Sequence, residues 1–435
     1  MAFTYILINI FYISFSMKFY KFWINPITVY SLPWLIMTIL YELKLVYYYD
    51  LTIITWIVII IFQFIYNLGC VFPKILATIT HNKQLKKQIK SSFREEKKLK
   101  MMIIILSALT LVSSLVNYLS VAKRYGPNLL LYVSQLYSAR LEGDITTVIP
   151  YLGALVYPAI IYSGFYVKEY GFKTFIILPI VSWLLDSLTG GGRLGIFTGM
   201  FLFLVPLLLK KEREAEQLIK KRKLANFKDV IIIFVLLAII AYIFWFITKV
   251  RSLGISYNSY MSPTMIKLVN YEPAIYKIYT YIASPLGVLN EFLKSPDFKF
   301  GGHTFLTVYS LLNKLGINVE FSKYQKFYYV PISCNVGTYI RELIEDFTIF
   351  PALIVTFITG LIYSYNYLRF MHSESYINLI WTSILTYIVF FSFFMWQFRS
   401  SSMWISTIVG VISAVILTSK IVLTSKNNYY VGDNV

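Results

Sequence analysis

Long apolar blocks separated by short polar segments run through the whole chain. Two of them, Val230–Ile247 and Ser402–Val422, hold almost no charge over about 20 positions, the length that a helix needs to cross a bilayer. Since backbone polar groups cannot be left unpaired in lipid, this pattern predicts an all-α polytopic membrane protein. The apolar windows predict about eleven spans, at 2–17, 27–47, 51–72, 101–121, 148–167, 172–189, 193–209, 230–248, 347–367, 376–396 and 402–424.

The basic segments predict which side of the membrane each loop occupies, because cytoplasmic loops carry an excess of lysine and arginine. The two most basic stretches, Lys74–Lys100 and Lys210–Lys228, are separated by an even number of predicted spans and therefore share a side. With both inside, the short loops at Lys18, Lys168 and Arg369 also fall inside. The N-terminus is then outside and the C-terminus is cytoplasmic.

This topology divides the chain into three parts. Residues 1–248 hold spans 1 to 8, with basic cytoplasmic loops at 73–100 and 210–229. Residues 249–346 form one large outer loop without a long apolar run, and residues 347–435 hold spans 9 to 11 and a short cytoplasmic tail. A loop as long as 249–346 usually carries a function of its own.

The composition supports the membrane interpretation. Of the 435 residues, 57% are hydrophobic and 14% are charged, whereas soluble proteins average about 25% charged residues. The net charge of +19 lies mostly in the loops, which indicates contact with anionic membrane lipid and not with nucleic acid. Cys70 and Cys334 fall on opposite sides, so neither a disulfide nor a thiolate metal site is expected. Residues Ala2–Met17 lack the flanks of a signal peptide and are expected to be a retained span.

The segment LTGGGRLGI is the strongest candidate for chemistry. Gly191 and Gly192 lead into a span whose N-terminus faces outward, and Arg193 stands on its first turn. Free N–H groups and the positive end of a helix dipole favour an anion, and glycines let the backbone approach it closely. An arginine fork then binds phosphate oxygens bidentately. The ordinary alternative is a tight turn whose arginine reaches lipid phosphates.

Further charged residues are predicted near the same outer membrane plane. Three more arginines, each of which could also be an interfacial anchor, would complete a pyrophosphate-binding set: Arg251, Arg341 and Arg399. A general base for an acceptor hydroxyl could come from the outer acids or the loop histidine, and the candidates are Asp346, Glu272 and His303. No metalloprotease, serine hydrolase or P-loop motif is present in the sequence.

Three segments resemble Wzy-type oligosaccharide repeat-unit polymerases of O-antigen, capsule and enterobacterial common antigen. SLTGGGRLGIFTGMFLFLVPLL resembles the arginine-containing span of that family, and WQFRSSSMWISTIVG is similar to its late outer turn. CNVGTYIRELIEDFTIFPALIVTFITGL resembles the stretch that enters the span after the large loop. Thr348 stands where the family pattern has glycine, which weakens the third match.

The resemblance implies a membrane glycosyltransferase fold of the GT-C kind and an outer-face reaction. Members of the family join undecaprenyl-pyrophosphate-linked oligosaccharide units, so the expected substrate is such a unit. The resemblance implies no cofactor and no metal. Its expected partners are membrane lipid and, from the same pathway, a chain-length regulator and a flippase.

Other functions share some of these features. An O-antigen ligase-type glycosyltransferase has similar spans, a large late outer loop and outer arginines, and differs mainly in its acceptor. A polysaccharide flippase or transporter would favour short outer loops and two similar halves, neither of which this sequence has. A receptor or structural membrane protein is the least specific alternative.

Overall fold

The structure is a computed structural model of the 435-residue chain. It describes residues 1–79, 96–129, 147–189, 193–209, 242–250, 259–319, 325–372 and 375–419, together with the single positions 132, 135, 136, 138, 139, 235, 238 and 252.

Helices make up most of the described chain. They are α1 (Ala2–Tyr20), α2 (Pro26–Glu42), α3 (Ile53–Ile79), α4 (Glu96–Tyr125), α5 (Val156–Tyr170), α6 (Ile177–Thr189), α7 (Arg193–Leu208), α8 (Pro263–Tyr271), α9 (Ala274–Lys294), α10 (Leu306–Lys314), α11 (Tyr339–Phe347), α12 (Ile349–His372), α13 (Tyr376–Phe390) and α14 (Ser401–Thr418). Residues 242–250 are also helical. The described strands are β1 (Tyr328–Tyr329) and β2 (Ser333–Cys334), which pair in an antiparallel hairpin.

Six described helices are long and apolar enough to cross a membrane, namely α1, α3, α4, α12, α13 with its terminal turn, and α14. Two shorter apolar helices, Thr174–Thr189 and Leu194–Leu208, accompany them. The chain is therefore an α-helical membrane protein, as the apolar pattern predicts. The count of eleven spans and the GT-C architecture stay predictions, and most of the predicted span 230–248 lies outside the described residues.

One predicted boundary is clearly displaced. The span expected from residue 148 begins as an α-helix only at Val156, after a short 3₁₀ turn at Leu152–Leu155. Asn117 on α4 accepts hydrogen bonds from the backbone N–H groups of Val148 (3.0 Å) and Ile149 (3.2 Å). Because a side chain of a neighbouring helix binds these two N–H groups, the backbone at 148 and 149 is satisfied without being helical.

Helices α3 and α12 approach each other closely, and glycines make this approach possible. A Cβ on Gly69 would lie 2.2 Å from the carbonyl oxygen of Phe357, and one on Gly360 would lie 2.4 Å from that of Tyr66. Small residues at such a crossing let two backbones pack directly, as in many membrane helix pairs. Tyr20 ties α1 to the same crossing, since its hydroxyl donates to the carbonyl of Cys70 (2.7 Å).

Segments that are predicted to share a membrane side contact one another. On the predicted cytoplasmic side, the Lys74 ammonium lies 4.3 Å from the ring centroid of Phe19. On the predicted outer side, the N–H of Tyr47 donates to the carbonyl of Tyr260 (2.8 Å), and the N–H of Thr52 donates to Asn290 (2.8 Å). These contacts agree with the predicted alternation of the spans, while the side of the membrane stays a prediction.

Cysteine labelling on intact cells should test that orientation. A cysteine at Lys87, in the first basic loop, is expected to resist an impermeant thiol reagent, because it is predicted to be cytoplasmic. A cysteine at Asn318, which is exposed in the large outer segment, should react readily. Labelling in permeabilised cells provides the control for reactivity. Equal labelling of both positions in intact cells would refute the predicted orientation, and labelling at position 87 alone would reverse it.

The predicted outer loop is itself largely helical in its described part. The amphipathic helix α9 buries Leu286, Val288 and Leu289 and packs against α2. Tyr279 on α9 donates from its hydroxyl to the carbonyl of Leu40 (2.8 Å). Polar residues such as Lys277, Thr280 and Ser284 interrupt its sequence, so it contains no long apolar run. The segment that is predicted to be the outer loop is thereby attached to the helical bundle through α9.

Candidate functional site

The candidate site is built around α11, a short helix that carries four buried charged residues. Thr338 caps its start by accepting a hydrogen bond from the N–H of Arg341. Arg341, Glu342, Glu345 and Asp346 are each at most 1% exposed. Charges that are removed from water must be paired, so each of these side chains should have a defined partner.

Arg341 holds the β1–β2 hairpin against α11. Its Nη1 donates to the carbonyl of Asn335 (3.1 Å) and its Nη2 to that of Lys326 (3.5 Å). The guanidinium carbon lies 4.8 Å from the ring centroid of Tyr328 on β1, and Nε lies 3.5 Å from Glu345 Oε2. The fully buried Arg341 guanidinium therefore contacts protein groups on several sides.

Glu345 lies at the centre of three positively charged or protonatable groups. Its Oε2 is 3.0 Å from Nε2 of His303, and its Oε1 is 2.9 Å from Nζ of Lys299. Burial alone would raise the pKa of Glu345, but His303, Arg341 and Lys299 outweigh burial and lower the pKa to about 2. Glu345 is therefore ionised at neutral pH. The other ring nitrogen of His303, Nδ1, is buried and has no hydrogen-bond partner among the described residues.

Asp346 fixes the turn that carries His303. Its Oδ1 accepts from the N–H of His303 (2.8 Å), and its Oδ2 accepts from the N–H (2.7 Å) and the hydroxyl (2.6 Å) of Thr304. Burial raises the pKa of Asp346, although His303 and the donors on Thr304 oppose the shift. Because its oxygens are occupied by these donors, Asp346 holds His303 in place.

Glu342 connects α11 to the turn before α14. Its Oε1 lies 2.6 Å from Nη1 of Arg399 and also accepts from the side chain of Gln325. Its Oε2 accepts from the N–H of Trp396 (2.5 Å). The Arg399 side chain is 12% exposed, whereas Glu342 is fully buried. The carboxylate thus positions Arg399 at the edge of the buried cluster.

A cavity of about 390 Å³ lies beside Arg399, where the starts of two helices meet. Leu194 and Gly195 come from the first turn of α7, and Ser401 and Ser402 come from the first turn of α14. The N-cap of α14 makes no side-chain capping bond. The N–H groups of Met403 and Trp404 donate to the carbonyl of Ser400, so among the described contacts the N–H groups of Ser401 and Ser402 are the ones left for another acceptor. Helix starts and an arginine together favour an anionic ligand. The remaining polar lining consists of Tyr157, Thr198, Tyr387, Gln397 and Ser400.

The structure brings some of the predicted site residues together and separates another. Asp346 and His303 meet in the buried cluster, which also contains Arg341 and leads through Glu342 to Arg399. Glu272 lies elsewhere, because it pairs with Lys249 (3.3 Å) and accepts from the N–H of Ala274 at the start of α9. Gly191, Gly192 and Arg251 lie outside the described residues. The backbone of Arg193 begins α7, but its side chain also lies outside the described part of the chain.

Glu342, Glu345 and the serines at the start of α14 are not among the site residues that the sequence predicts. The spacing in IRELIED offered a signal, because it places Arg341 and Glu345 one helical turn apart. The partners of Glu345 and Glu342 are His303 and Arg399, which are distant in sequence, so these two pairings have no local sequence signal. No group of three His, Cys, Asp or Glu side chains in the described chain is placed to hold a metal ion.

No family model, curated protein or solved structure matches this chain. The geometry of the cavity and of the charged cluster therefore carries the functional argument, together with the sequence resemblance.

Proposed function

We propose that this chain is a membrane glycosyltransferase that joins lipid-pyrophosphate-linked oligosaccharide units into a polysaccharide at the outer face of the membrane. The resemblance to Wzy-type polymerases suggests undecaprenyl pyrophosphate as the lipid carrier. The observation that carries the proposal is the cavity in which the starts of α7 and α14 meet Arg399.

The position of this cavity suits a lipid-linked pyrophosphate. Its walls are the first turns of two apolar helices, so an anionic headgroup can occupy the cavity while its hydrocarbon tail stays in the bilayer. Helix N–H groups and an arginine provide donors and positive charge for phosphate oxygens. The tyrosine and serine hydroxyls that line the cavity offer further hydrogen bonds to phosphate or sugar.

The chemistry needs charge stabilisation and a proton acceptor. The bond between the reducing-end C1 of the growing chain and its pyrophosphate oxygen breaks, and the hydroxyl oxygen of the incoming unit bonds to C1. The lipid pyrophosphate leaves with the bonding electrons, and preorganised positive groups stabilise its developing charge. The hydroxyl proton passes to a base. The starts of α7 and α14, with Arg399 and Arg193, supply the positive groups.

His303 is the base candidate that the local contacts favour. Glu345 lies against one ring nitrogen and leaves Nδ1 without a partner, an arrangement in which a carboxylate orients a histidine. Leu306, three residues after His303, lines the cavity. Its N–H lies within hydrogen-bond distance (3.3 Å) of the carbonyl of His303, so both residues belong to one turn. Asp346 accepts three hydrogen bonds and serves to hold this turn.

Substitution of the three base candidates in a deletion strain should test both this assignment and the pathway. We expect His303→Ala to shorten the polymer and lower its amount, because removal of a general base typically costs about 10²–10⁴ in rate. Asp346→Asn should have an intermediate effect through the turn that it holds. Glu272→Gln, remote from the cluster, is the matched control and should make normal polymer.

Protein abundance and the lipid-linked intermediates decide the outcome. Normal polymer from His303→Ala at normal abundance would show that the base lies elsewhere or that none is needed. If the deletion strain instead traps unpolymerised units on the cytoplasmic side, the protein is a flippase. If long polymer accumulates on the carrier lipid, the protein is a ligase.

A further inference from the structure

Helix α10 exposes an apolar stripe to its surroundings. None of its residues is fully buried. The exposed apolar side chains of α10 and of the two residues that flank it follow each other at intervals of three or four positions, which places them on one face: Phe305, Val308, Leu311 and Leu315. Leu315 is 69% exposed and Leu311 is 57% exposed. An isolated exposed leucine needs no explanation, but an aligned stripe marks a contact surface.

Contacts at both ends place α10 across the outer ends of the spans. Near its start, the hydroxyl of Thr307 donates to that of Ser401, the first residue of α14 (2.9 Å). Near its end, the ammonium of Lys314 lies 3.4 Å from the hydroxyl of Tyr151, just before the turn that leads into α5. The helix therefore lies at the level where α14 enters the predicted membrane region.

The turn before α10 is hydrogen-bonded to the end of α11, directly before the start of another span, α12. The N–H of Lys299 donates to the carbonyl of Glu345 (2.8 Å), and the N–H of Gly301 donates to that of Asp346 (2.9 Å). The ring of Phe305 packs edge-on against Phe347, two residues before α12 begins. These bonds hold the apolar side chains of the turn close to the first turn of a membrane-spanning helix.

The apolar surface continues from this turn onto α12. Phe300 is 81% exposed and Phe350, on the first turn of α12, is 73% exposed. Further along α12, the exposed side chains Ile354, Ile358 and Ile362 form a stripe on a candidate membrane span. Because lipid covers such a stripe on a membrane helix, the same lipid is the natural cover for the apolar surface that adjoins it.

We propose that α10 is an interfacial helix whose apolar stripe lies in the outer leaflet of the bilayer, against lipid hydrocarbon. A helix with leucines and phenylalanine on one face and polar groups on the other lies in the interface plane, its apolar face immersed below the headgroups. Lys314 lies off the stripe, with its ammonium against the hydroxyl of Tyr151. This inference does not depend on glycosyl transfer.

The location of α10 gives this contact a consequence for the cavity. Leu306, the first residue of the helix, lines the cavity, while the stripe begins at its neighbour Phe305. The helix thus borders the cavity at Leu306 and, in this proposal, outer-leaflet lipid at Phe305. A ligand with a hydrocarbon tail would have lipid immediately beside its headgroup.

Nitroxide labels should reveal the environment of each face in lipid nanodiscs. Single cysteines at Leu311 and Leu315 report on the stripe, and one at the exposed Asn313 is the off-stripe control. The native Cys70 and Cys334 are replaced with Ala and Ser. We expect labels at Leu311 and Leu315 to be more accessible to oxygen and less accessible to a nickel chelate than the label at Asn313, since oxygen partitions into hydrocarbon.

Two results would overturn the proposal. Equal nickel accessibility at all three positions would place the stripe in water. Protection of Leu311 and Leu315 from both reagents would place another protein surface, such as a second copy of the chain, over the stripe. Thermal unfolding of each labelled variant verifies that the fold is retained. Because the readout is the environment of α10, its outcome is separate from that of the glycosyltransferase proposal.

Discussion

Replacing Arg399 with alanine is expected to lower polymerisation turnover about a hundredfold. Arg399 lines the cavity at the meeting point of two helix starts, where its charge can stabilise a departing pyrophosphate. Loss of a charge-assisted contact that strengthens in the transition state typically costs about 3 kcal/mol. Arg399→Lys should keep part of the activity, because lysine keeps the charge but loses the planar fork. Turnover per mole of folded protein is the measurement.

A double variant separates catalysis from folding at this position. Arg399→Ala alone leaves Glu342 buried without its cationic partner, which also destabilises the protein. In Arg399→Ala/Glu342→Gln the uncompensated carboxylate is gone, so abundance and thermal stability should recover relative to Arg399→Ala. We expect its turnover to stay low. A stable double variant with normal turnover would mean that Arg399 serves only to neutralise Glu342.

Replacing Glu345 with alanine is expected to lower the free energy of unfolding by about 3–5 kcal/mol. The substitution leaves Arg341 buried without its carboxylate and removes the group that faces His303 and Lys299. Thermal unfolding in detergent is the measurement. Glu291→Ala is the matched control, because Glu291 forms a more exposed ion pair with Lys294 and should cost about 1 kcal/mol or less. An equal loss of unfolding free energy in the two variants would show that the buried cluster stabilises the fold no more than an exposed ion pair does.

The stabilisation from Glu345 should depend on pH in a defined direction. Its pKa is lowered to about 2 in the folded protein, so the stabilisation is fully present above the unfolded value of about 4.3. It is lost as the pH falls from there towards 2. The stability difference between the wild-type protein and Glu345→Gln should therefore be constant near neutral pH and shrink below about pH 4.5. If the stability difference between the wild-type protein and Glu345→Gln grows on acidification, the folded protein raises the pKa of Glu345 and does not lower it.

The helical character of the chain was readable from its sequence because lipid imposes a strong rule. A span must be long and apolar, so segments such as Ala2–Tyr20 and Ile349–His372 stand out by composition alone. The start of α5 was misplaced because Asn117, on another helix, binds the backbone at 148 and 149. Helix α9 escaped prediction because its stability comes from packing on α2 and not from an uninterrupted apolar run.

The candidate site was only partly readable for a related reason. The Arg–Glu spacing of α11 is local, but Glu345 meets His303 and Glu342 meets Arg399 through the tertiary fold. A single sequence contains no signal for such distant pairs. The sequence identifies Arg399 as a candidate, and Arg399 lines the cavity together with Leu194 and Gly195, the residues that follow the predicted Gly191, Gly192 and Arg193.

Polymerisation of purified lipid-pyrophosphate-linked units by the purified protein tests most directly whether the start of α7 holds a donor pyrophosphate. Elongation is measured per mole of folded protein. We expect the wild-type protein to extend the units and release lipid pyrophosphate, Arg193→Lys to be impaired, and Arg193→Ala to be about a hundredfold slower. If Arg193 only anchors the protein in lipid, lysine will substitute freely and alanine will lower abundance without lowering turnover. Normal turnover by Arg193→Ala, or no elongation by the wild-type protein, would contradict the proposed function.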